Sequence, residues 1–401
     1  MTRNLFLCVA AMILAVASVP AAAIFVPPPD VPVDRLIRNV TAYIQANPTD
    51  PEGYYTLGRI NSLAFHMNST TIGMLEDPER PQAKLPTFPV VGGFPKKTPP
   101  TKAQRKQYLA DALTNLRLAV KMKPATALYR LTLAFTLEQG APMAVEPATQ
   151  PAAKPAAEAW LDEAMEQYWQ AHELAVKDDL AITEQPLEGL NSLVSFESGT
   201  AYKRLAEKRG VTDKDKPRLA KIEGTLAALS AKPMGAITPV IFALERHRPL
   251  ADLLAERVEV SFDLDGTGRL FRWPWVKGDT AILAWDPRGT GQITSGMQLF
   301  GSVTWHIYWA DGYRALDALD DNRDGQLTGP ELCGLCIWRD ANVNGISDAG
   351  EVVSVESAGI HSLATRPSGR ESGCPTATNG VRFRDGRQIS SYDWIARPRS
   401  E

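Results

Sequence analysis

The sequence predicts a mainly α protein, in which N-terminal helical hairpins form a solenoid-like array and a small α+β domain follows. Three observations support this prediction. Up to about residue 237 the chain carries Ala and Leu at helical spacing, interrupted by proline clusters. Beyond that point Gly, Asp and Trp dominate, and seven of the nine tryptophans follow residue 270. Two acidic runs centred on glycine lie in this second part.

The first segment of the chain has the composition of a signal peptide. Arg3 precedes an apolar run that begins at Leu5, and small residues stand at Ala21 and Ala23. The run is too short to cross a bilayer, and no later stretch is long and charge-free enough to do so. We therefore expect cleavage after residues 1–23 and an exported protein, in the periplasm, secreted or at the cell surface, without a membrane span.

Composition limits the classes of partner. Apolar residues make up 44% of the chain, which is ample for hydrophobic cores, and the formal net charge is −3. This balance gives no basic surface for nucleic acid. Cys333, Cys336 and Cys374 would meet an oxidising compartment after export, so we expect one disulfide and one remaining thiol.

The helices of the first part are predicted from apolar periodicity. One hairpin spans residues 33–67 and turns at Pro48, and a second spans residues 108–140 and turns at Pro124. Three further amphipathic segments follow, near residues 156–177, 187–208 and 214–231.

Residues 31–140 resemble the tetratricopeptide repeat in a degenerate form. Tyr54, Leu57 and Gly58 have matching spacing, as do the prolines at the two turns. The resemblance implies stacked hairpins with a concave face that takes a protein or peptide partner, or else a structural spacer. The sequence leaves these two alternatives open.

Two twelve-residue runs in the second part place oxygen-bearing side chains at alternate positions around a glycine. Each begins with Asp and ends with Glu, and eight residues separate them. Calcium takes about six to eight oxygens, so a short loop that binds it must turn alternate side chains inward. The predicted ligands are Asp320, Asn322, Asp324, Gln326 and Glu331 in the first loop, and Asp340, Asn342, Asn344, Ile346, Asp348 and Glu351 in the second.

These spacings resemble the EF-hand calcium loop, in which the seventh residue binds through its carbonyl and the twelfth Glu supplies both oxygens. The resemblance implies Ca²⁺ as the cofactor. The intervening LCGLCIWR predicts a short helix shared by both loops, which resembles the compressed, dockerin-like repeats of exported bacterial proteins. Ser347, at the eighth position, weakens the ribbon expected between paired loops, so we expect static, structural calcium sites.

A metal-free alternative exists for the same residues. Thr328 to Glu331 and Asp348 to Glu351 have the spacing of helix N-caps, so two capped polar turns would also explain the pattern. By residue usage, the fixed positions of one loop would coincide in roughly one such chain in a thousand. Two loops in tandem therefore favour calcium.

Two weaker copies of the loop lie upstream. The first has Asp263, Asp265 and Thr267 in register, but Pro274 occupies the twelfth position and cannot complete the ligand shell. The second has Arg288 at its third position, where a cation opposes calcium. The first three residues remain a weaker candidate site.

Other chemistries have less support. Cys333 and Cys336 have C-x-x-C spacing, and His361 and Cys374 could complete a zinc site, but no second such pair exists. The tryptophan-rich stretches fit core packing better than a sugar-binding platform. No motif of a nucleophile and a base accompanies His306 or His361, so no catalytic residue and no enzyme activity are predicted.

The sequence thus predicts calcium binding, mainly structural, in an exported scaffold or interaction protein. The alternatives are an envelope hydrolase or a carbohydrate-binding surface protein that uses calcium as a structural cofactor. The predicted domains are a signal peptide (1–23), a helical-repeat domain (24–237) with proline-rich insertions (about 76–101 and 141–155), a calcium-binding domain (238–370) and a C-terminal tail (371–401).

Overall fold

The computed structural model describes most of the chain, as six segments. The predicted signal peptide, Thr267 and most of each predicted proline-rich insertion lie outside the described residues. The described segments are 30–72, 99–144, 153–181, 193–230, 237–266 and 270–397.

The first part is helical, as the apolar periodicity predicts. Each helix packs on the next along the chain, so both hairpins are confirmed as helices. The three further segments are confirmed where the structure describes them, and residues 187–192 of the middle one lie outside the described residues. The resemblance to tetratricopeptide repeats itself stays a prediction. The helices are α1 (Val33–Ala46), α2 (Pro51–Met67), α3 (Lys102–Met122), α4 (Ala127–Ala144), α5 (Ala153–Ala181), α6 (Val194–Arg209) and α7 (Asp215–Ser230), with a short ribbon of β1 (Val31–Pro32) and β2 (Thr71–Ile72).

Local chemistry explains where these helices start and how closely they pack. Asp50 accepts a hydrogen bond from the backbone N–H of Glu52 at 3.0 Å and so caps α2. Thr101 and Gln104 form a capping box at the start of α3. Gly58 lets α2 approach α3, since a Cβ there would lie 2.7 Å from Cγ of Leu116.

A large curled antiparallel sheet dominates the second part. In the described residues it has nine strands, ordered β7, β10, β12, β13, β3, β6, β8 and β9, with β11 paired to β12. These strands are β3 (Val240–Ala243), β6 (Thr280–Trp285), β7 (Gln326–Thr328), β8 (Leu335–Trp338), β9 (Val352–Ser354), β10 (Ile360–Ala364), β11 (Gly369–Glu371), β12 (Cys374–Phe383) and β13 (Gln388–Asp393).

The remaining elements of this part are small. Strands β4 (Leu254–Phe262) and β5 (Phe271–Val276) pair as a separate hairpin. The short helix α8 (Leu250–Leu253) precedes this hairpin, and α9 (Gly312–Asp317) precedes the first acidic loop.

The predicted fold class is therefore wrong for the second part. That part is a large antiparallel sheet and not a small α+β domain of the EF-hand type. Residues 371–401, predicted as a tail, contain β12 and β13, and β13 pairs with both β12 and β3. The division near residue 237 stays a prediction, although helix α7 ends at Ser230 and β3 begins at Val240.

The short helix predicted between the two acidic loops is also wrong. Residues Gly329–Leu332 form one turn of 3-10 helix, and Leu335–Trp338 form β8. All four residues of β8 are buried, and the strand pairs with β6 on one side and β9 on the other. A short apolar run is compatible with a helix or a buried strand, so pairing with β6 decides the outcome.

Buried contacts join the helices to the sheet. Arg59 of α2 is fully buried and donates from Nε and Nη2 to the carbonyl oxygen of His306, at 2.9 and 2.7 Å. Burial, with the nearby Arg59 charge, lowers the pKa of His306 to about 3. This imidazole is therefore neutral at physiological pH, as a packed core histidine would be.

Candidate metal-binding loops

The first acidic loop is a tight turn closed by its own side chains. Arg323 and Gly325 both have left-handed backbone angles, with φ of 63° and 87°. Asp320 Oδ2 accepts from the N–H of Gly325 at 2.9 Å, and Asp324 Oδ1 accepts from the N–H of Gln326 at 2.8 Å. Glycine favours the turn at position 325 because left-handed angles are less costly without a Cβ, whereas Arg323 adopts such an angle at some cost.

The second acidic loop repeats this arrangement position by position. Val343 and Gly345 have φ of 58° and 74°. Asp340 Oδ2 accepts from Gly345 at 2.7 Å, and Asn344 Oδ1 accepts from Ile346 at 2.7 Å. The same sequence spacing has therefore produced the same turn twice.

The closing glutamates also take equivalent positions. Glu331 Oε1 accepts from the N–H of Asp321 at 2.8 Å, and its Oε2 accepts from the N–H of Thr328 at 3.0 Å. Glu351 makes the matching pair of bonds in the second loop, at 2.7 and 3.1 Å. Each closing carboxylate thus joins the start of its loop to the end.

Polar side chains at the third, fifth and ninth positions meet inside the second loop. Asp348 Oδ2 accepts from the amides of Asn342 and Asn344, at 2.8 and 3.0 Å. In the first loop the Asn322 amide donates to Asp324 Oδ2 at 3.1 Å. These side chains are therefore held to one another by hydrogen bonds within each loop.

The first aspartate of each loop is fully buried, in different surroundings. Asp320 Oδ1 has no hydrogen-bond partner, which is costly for a buried oxygen. Asp340 is better satisfied, since its Oδ1 accepts from Asn344 at 3.0 Å and its Oδ2 also accepts from the Trp275 indole at 2.7 Å. A cation in the first loop would supply the partner that Asp320 Oδ1 lacks.

The closing and central side chains are not arranged around one point in this structure. Among the described residues, no group of three or more His, Cys, Asp or Glu side chains could hold a metal ion. The carboxylates instead bond to the backbone of their own loops. Carboxylate, amide and carbonyl oxygens are the ligand types that calcium takes, and both loops carry all three types.

The upstream copies differ in how much of the turn they keep. Asp286 accepts from the N–H groups of Thr290 and Gly291, at 3.0 and 2.7 Å, so its loop has the same backbone turn. Asp263 and Asp265 are buried beside Gly266, whose φ is 70°. Their predicted role as ligands, with that of Thr267, stays a prediction.

The pairing of the loops could not be read from their order. Leu327, at the eighth position of the first loop, pairs with Leu363 of β10. Ser347, at the equivalent position of the second loop, accepts from the N–H of Ile293 at 2.8 Å. Ile293 is the eighth residue of the upstream Asp286 copy. The sequence could therefore have indicated this pairing, because Ser347 and Ile293 hold the same position in their copies.

The described cysteines and tryptophans bear on the predictions of a disulfide and of tryptophans packed in the core. Cys333, Cys336 and Cys374 are free thiols, so the expected disulfide is not formed. The seven tryptophans that follow residue 270 are buried, as core packing predicts. Trp275 packs on Trp338, with ring centroids 5.6 Å apart.

Two comparisons with known proteins found similarities. A family model described as the SPM domain matches residues 251–393. A stretch of 94 residues is 37% identical to the iron-regulated protein FrpA of Neisseria meningitidis serogroup C. That stretch covers 22% of this chain and 8% of FrpA, so the chain spans a small fraction of this relative.

Within the described ranges, no helix combines the length and apolar character needed to cross a membrane.

Proposed function

We propose that this chain binds calcium through its two acidic loops, and that the ions mainly stabilise an exported scaffold or interaction protein. One observation carries the proposal: the same hydrogen-bonded turn is built twice, and a buried oxygen of Asp320 is left without a partner in the first copy. A hard cation that prefers oxygen ligands would satisfy that atom.

Each loop supplies the ligand types that calcium takes. The first, third and fifth positions offer carboxylate and amide oxygens, the seventh offers a carbonyl oxygen and the twelfth a glutamate. When bound, the ion would neutralise three carboxylates per loop that otherwise repel one another. Those carboxylates are Asp320, Asp324 and Glu331 in the first loop and Asp340, Asp348 and Glu351 in the second.

The size of the expected effect follows from ligand linkage. Exported compartments can hold millimolar calcium, so sites with Kd of about 10⁻⁴ M would fill. At a hundredfold excess over Kd, one site stabilises the folded state by roughly 2.7 kcal/mol. Native proteins are typically stable by only about 5–15 kcal/mol, so two structural sites of this strength would contribute a substantial share.

Calorimetric titration of the full chain with Ca²⁺ tests the proposal. We expect two sites in the unaltered protein and none in a Glu331→Gln, Glu351→Gln double variant, because each change removes a chelating oxygen. The matched control is Glu356→Gln, an exposed glutamate outside the loops that pairs with Arg384 at 2.9 Å. Equal heats from the double variant and the unaltered protein would disprove the proposal.

The helical part has a separate proposed role. Its consecutive hairpins support a surface for a protein or peptide, as in other stacked-helix arrays. Capture of a partner by the full chain, lost when the exposed side chains of those helices are replaced, would test this role.

A further inference from the structure

One face of α1 contacts the entrance of the first loop. Arg35, Arg38 and Asn39 are spaced at i, i+3 and i+4, so they project from the same side of the helix. All three donate to a single oxygen, Oδ1 of Asp321, from Arg35 Nε at 3.0 Å, Arg38 Nη2 at 2.7 Å and Asn39 Nδ2 at 2.9 Å. We call these three residues the α1 clamp.

The clamp also holds the backbone just before the loop. Arg35 Nη2 donates to the carbonyl of Leu319 at 2.7 Å, and Asn39 Nδ2 donates to the carbonyl of Ala318 at 2.9 Å. Asn39 is 2% exposed, and its bond to the Ala318 carbonyl is buried. The clamp therefore fixes both the backbone and the side chain of the segment that leads into the loop.

Asp321 connects the clamp to the closing glutamate. Its side chain accepts the three clamp bonds, while its backbone N–H donates to Glu331 Oε1 at 2.8 Å. Asp321 thus links α1 to the first loop through its side chain and its backbone.

The second loop has no equivalent contact with the helices among the described residues. Its first aspartate is held by Trp275, and its closing Glu351 accepts from the Trp338 indole at 3.4 Å. Both tryptophans belong to the strands of the second part. The two loops therefore differ in what supports them, which makes the second loop an internal control.

We propose that the α1 clamp is a positioning device for the first calcium loop, so that calcium binding there and docking of the helical part strengthen each other. This inference rests on the proposed function. An entrance segment that is already ordered loses less conformational entropy when calcium binds. Linkage is reciprocal, so calcium must stabilise the docked state of α1 by the same factor.

The positive charge of the clamp weakens calcium binding, whereas ordering of the entrance strengthens it. Two features of the structure reduce the repulsion. Arg35 and Arg38 would repel a dication, but Asp321 neutralises one of their charges at hydrogen-bond distance. The Arg38 side chain is 59% exposed, so water and salt screen it. Under the proposal, ordering of the entrance outweighs this reduced repulsion, so the coupling is positive.

The test measures calcium affinity of the first loop alone, in the full chain. Glu351→Gln removes the second site, and the clamp is then disabled by Arg35→Gln with Arg38→Gln, or by Asn39→Ala, which leaves the charge unchanged. We expect calorimetry to show Kd at least about fivefold weaker in both clamp variants, the lower end of typical coupling. The matched control is Arg117→Gln, an exposed arginine of α3 paired with Glu163 at 2.6 Å, which should leave Kd unchanged.

A second measurement tests whether calcium in the first loop stabilises α1, as reciprocal linkage requires. Hydrogen exchange of the α1 amides should slow on addition of calcium in the unaltered protein and in Glu351→Gln, and should not change in Glu331→Gln. Far-UV circular dichroism shows whether each variant is folded before titration.

The outcomes separate this inference from the proposed function. If Glu351→Gln takes up calcium but the clamp variants bind it with unchanged or tighter Kd, the coupling is refuted and calcium binding stands. If Glu351→Gln takes up no calcium at all, the first site does not exist and both ideas fail.

Discussion

The Trp275→Phe substitution should be unusually costly, because the indole donates to the buried carboxylate of Asp340 at 2.7 Å. Both residues are almost completely inaccessible, at 1% and 0% exposure, so water cannot replace the lost donor. Hydrogen bonds to charged groups contribute about 1.5–3 kcal/mol, and the smaller ring leaves a cavity that costs about 1 kcal/mol more. The expected loss of unfolding free energy is therefore about 3 kcal/mol.

Trp273→Phe is the matched control for this prediction. Trp273 lies two residues away on β5, is 0% exposed, and donates to the neutral carbonyl of Phe262 at 3.0 Å. A neutral hydrogen bond contributes about 0.5–1.5 kcal/mol, and the cavity term is the same as for Trp275. The control should therefore lose about 1–1.5 kcal/mol less than the test variant.

The assay is urea unfolding of the full chain followed by far-UV circular dichroism, with chelator and with calcium. Fluorescence is avoided because the variants differ in tryptophan content. If Trp275→Phe proves no more destabilising than Trp273→Phe, the bond to Asp340 has no special weight and the reasoning about the second loop is refuted. Calcium affinity of the second loop should also fall for Trp275→Phe and not for the control.

Three further predictions concern the loops and the buried histidine. The eighth positions of the two acidic loops pair with different segments, so calcium should bind at two independent sites with a Hill coefficient near one in equilibrium dialysis. Gly345→Ala should lower the free energy of unfolding more than Gly325→Ala. A Cβ at Gly345 would lie 2.9 Å from Cβ of Val260, whereas a Cβ at Gly325 would meet nothing within 4 Å. Urea unfolding of the two variants checks this order. His306 takes up a proton near pH 6.5 when unfolded and near 3 when folded, so stability should fall with acid across this window, by up to about 1.4 kcal/mol per pH unit. His306→Asn, which tolerates the left-handed φ of 60°, should flatten this slope in pH-dependent unfolding, and an unchanged slope would contradict the assignment.

The sequence by itself determined the features that depend on neighbouring residues. The helices of the first part follow from apolar residues at helical spacing and from caps such as Asp50. The two acidic turns follow from Gly325 and Gly345, which permit left-handed angles, and from aspartates that accept hydrogen bonds from N–H groups five residues further on. These structures form within about a dozen residues, so no distant segment is needed to specify them.

Only the tertiary structure decided the sheet and the surroundings of the loops. β3 pairs with β13 across about 150 residues of chain, and β8 became a strand because β6 and β9 flank it. The α1 clamp on Asp321 likewise joins residues that are more than 280 positions apart. Strand pairing and side-chain bonds of this kind depend on which distant segments come into contact. The spacing of residues within one stretch of chain does not specify those contacts.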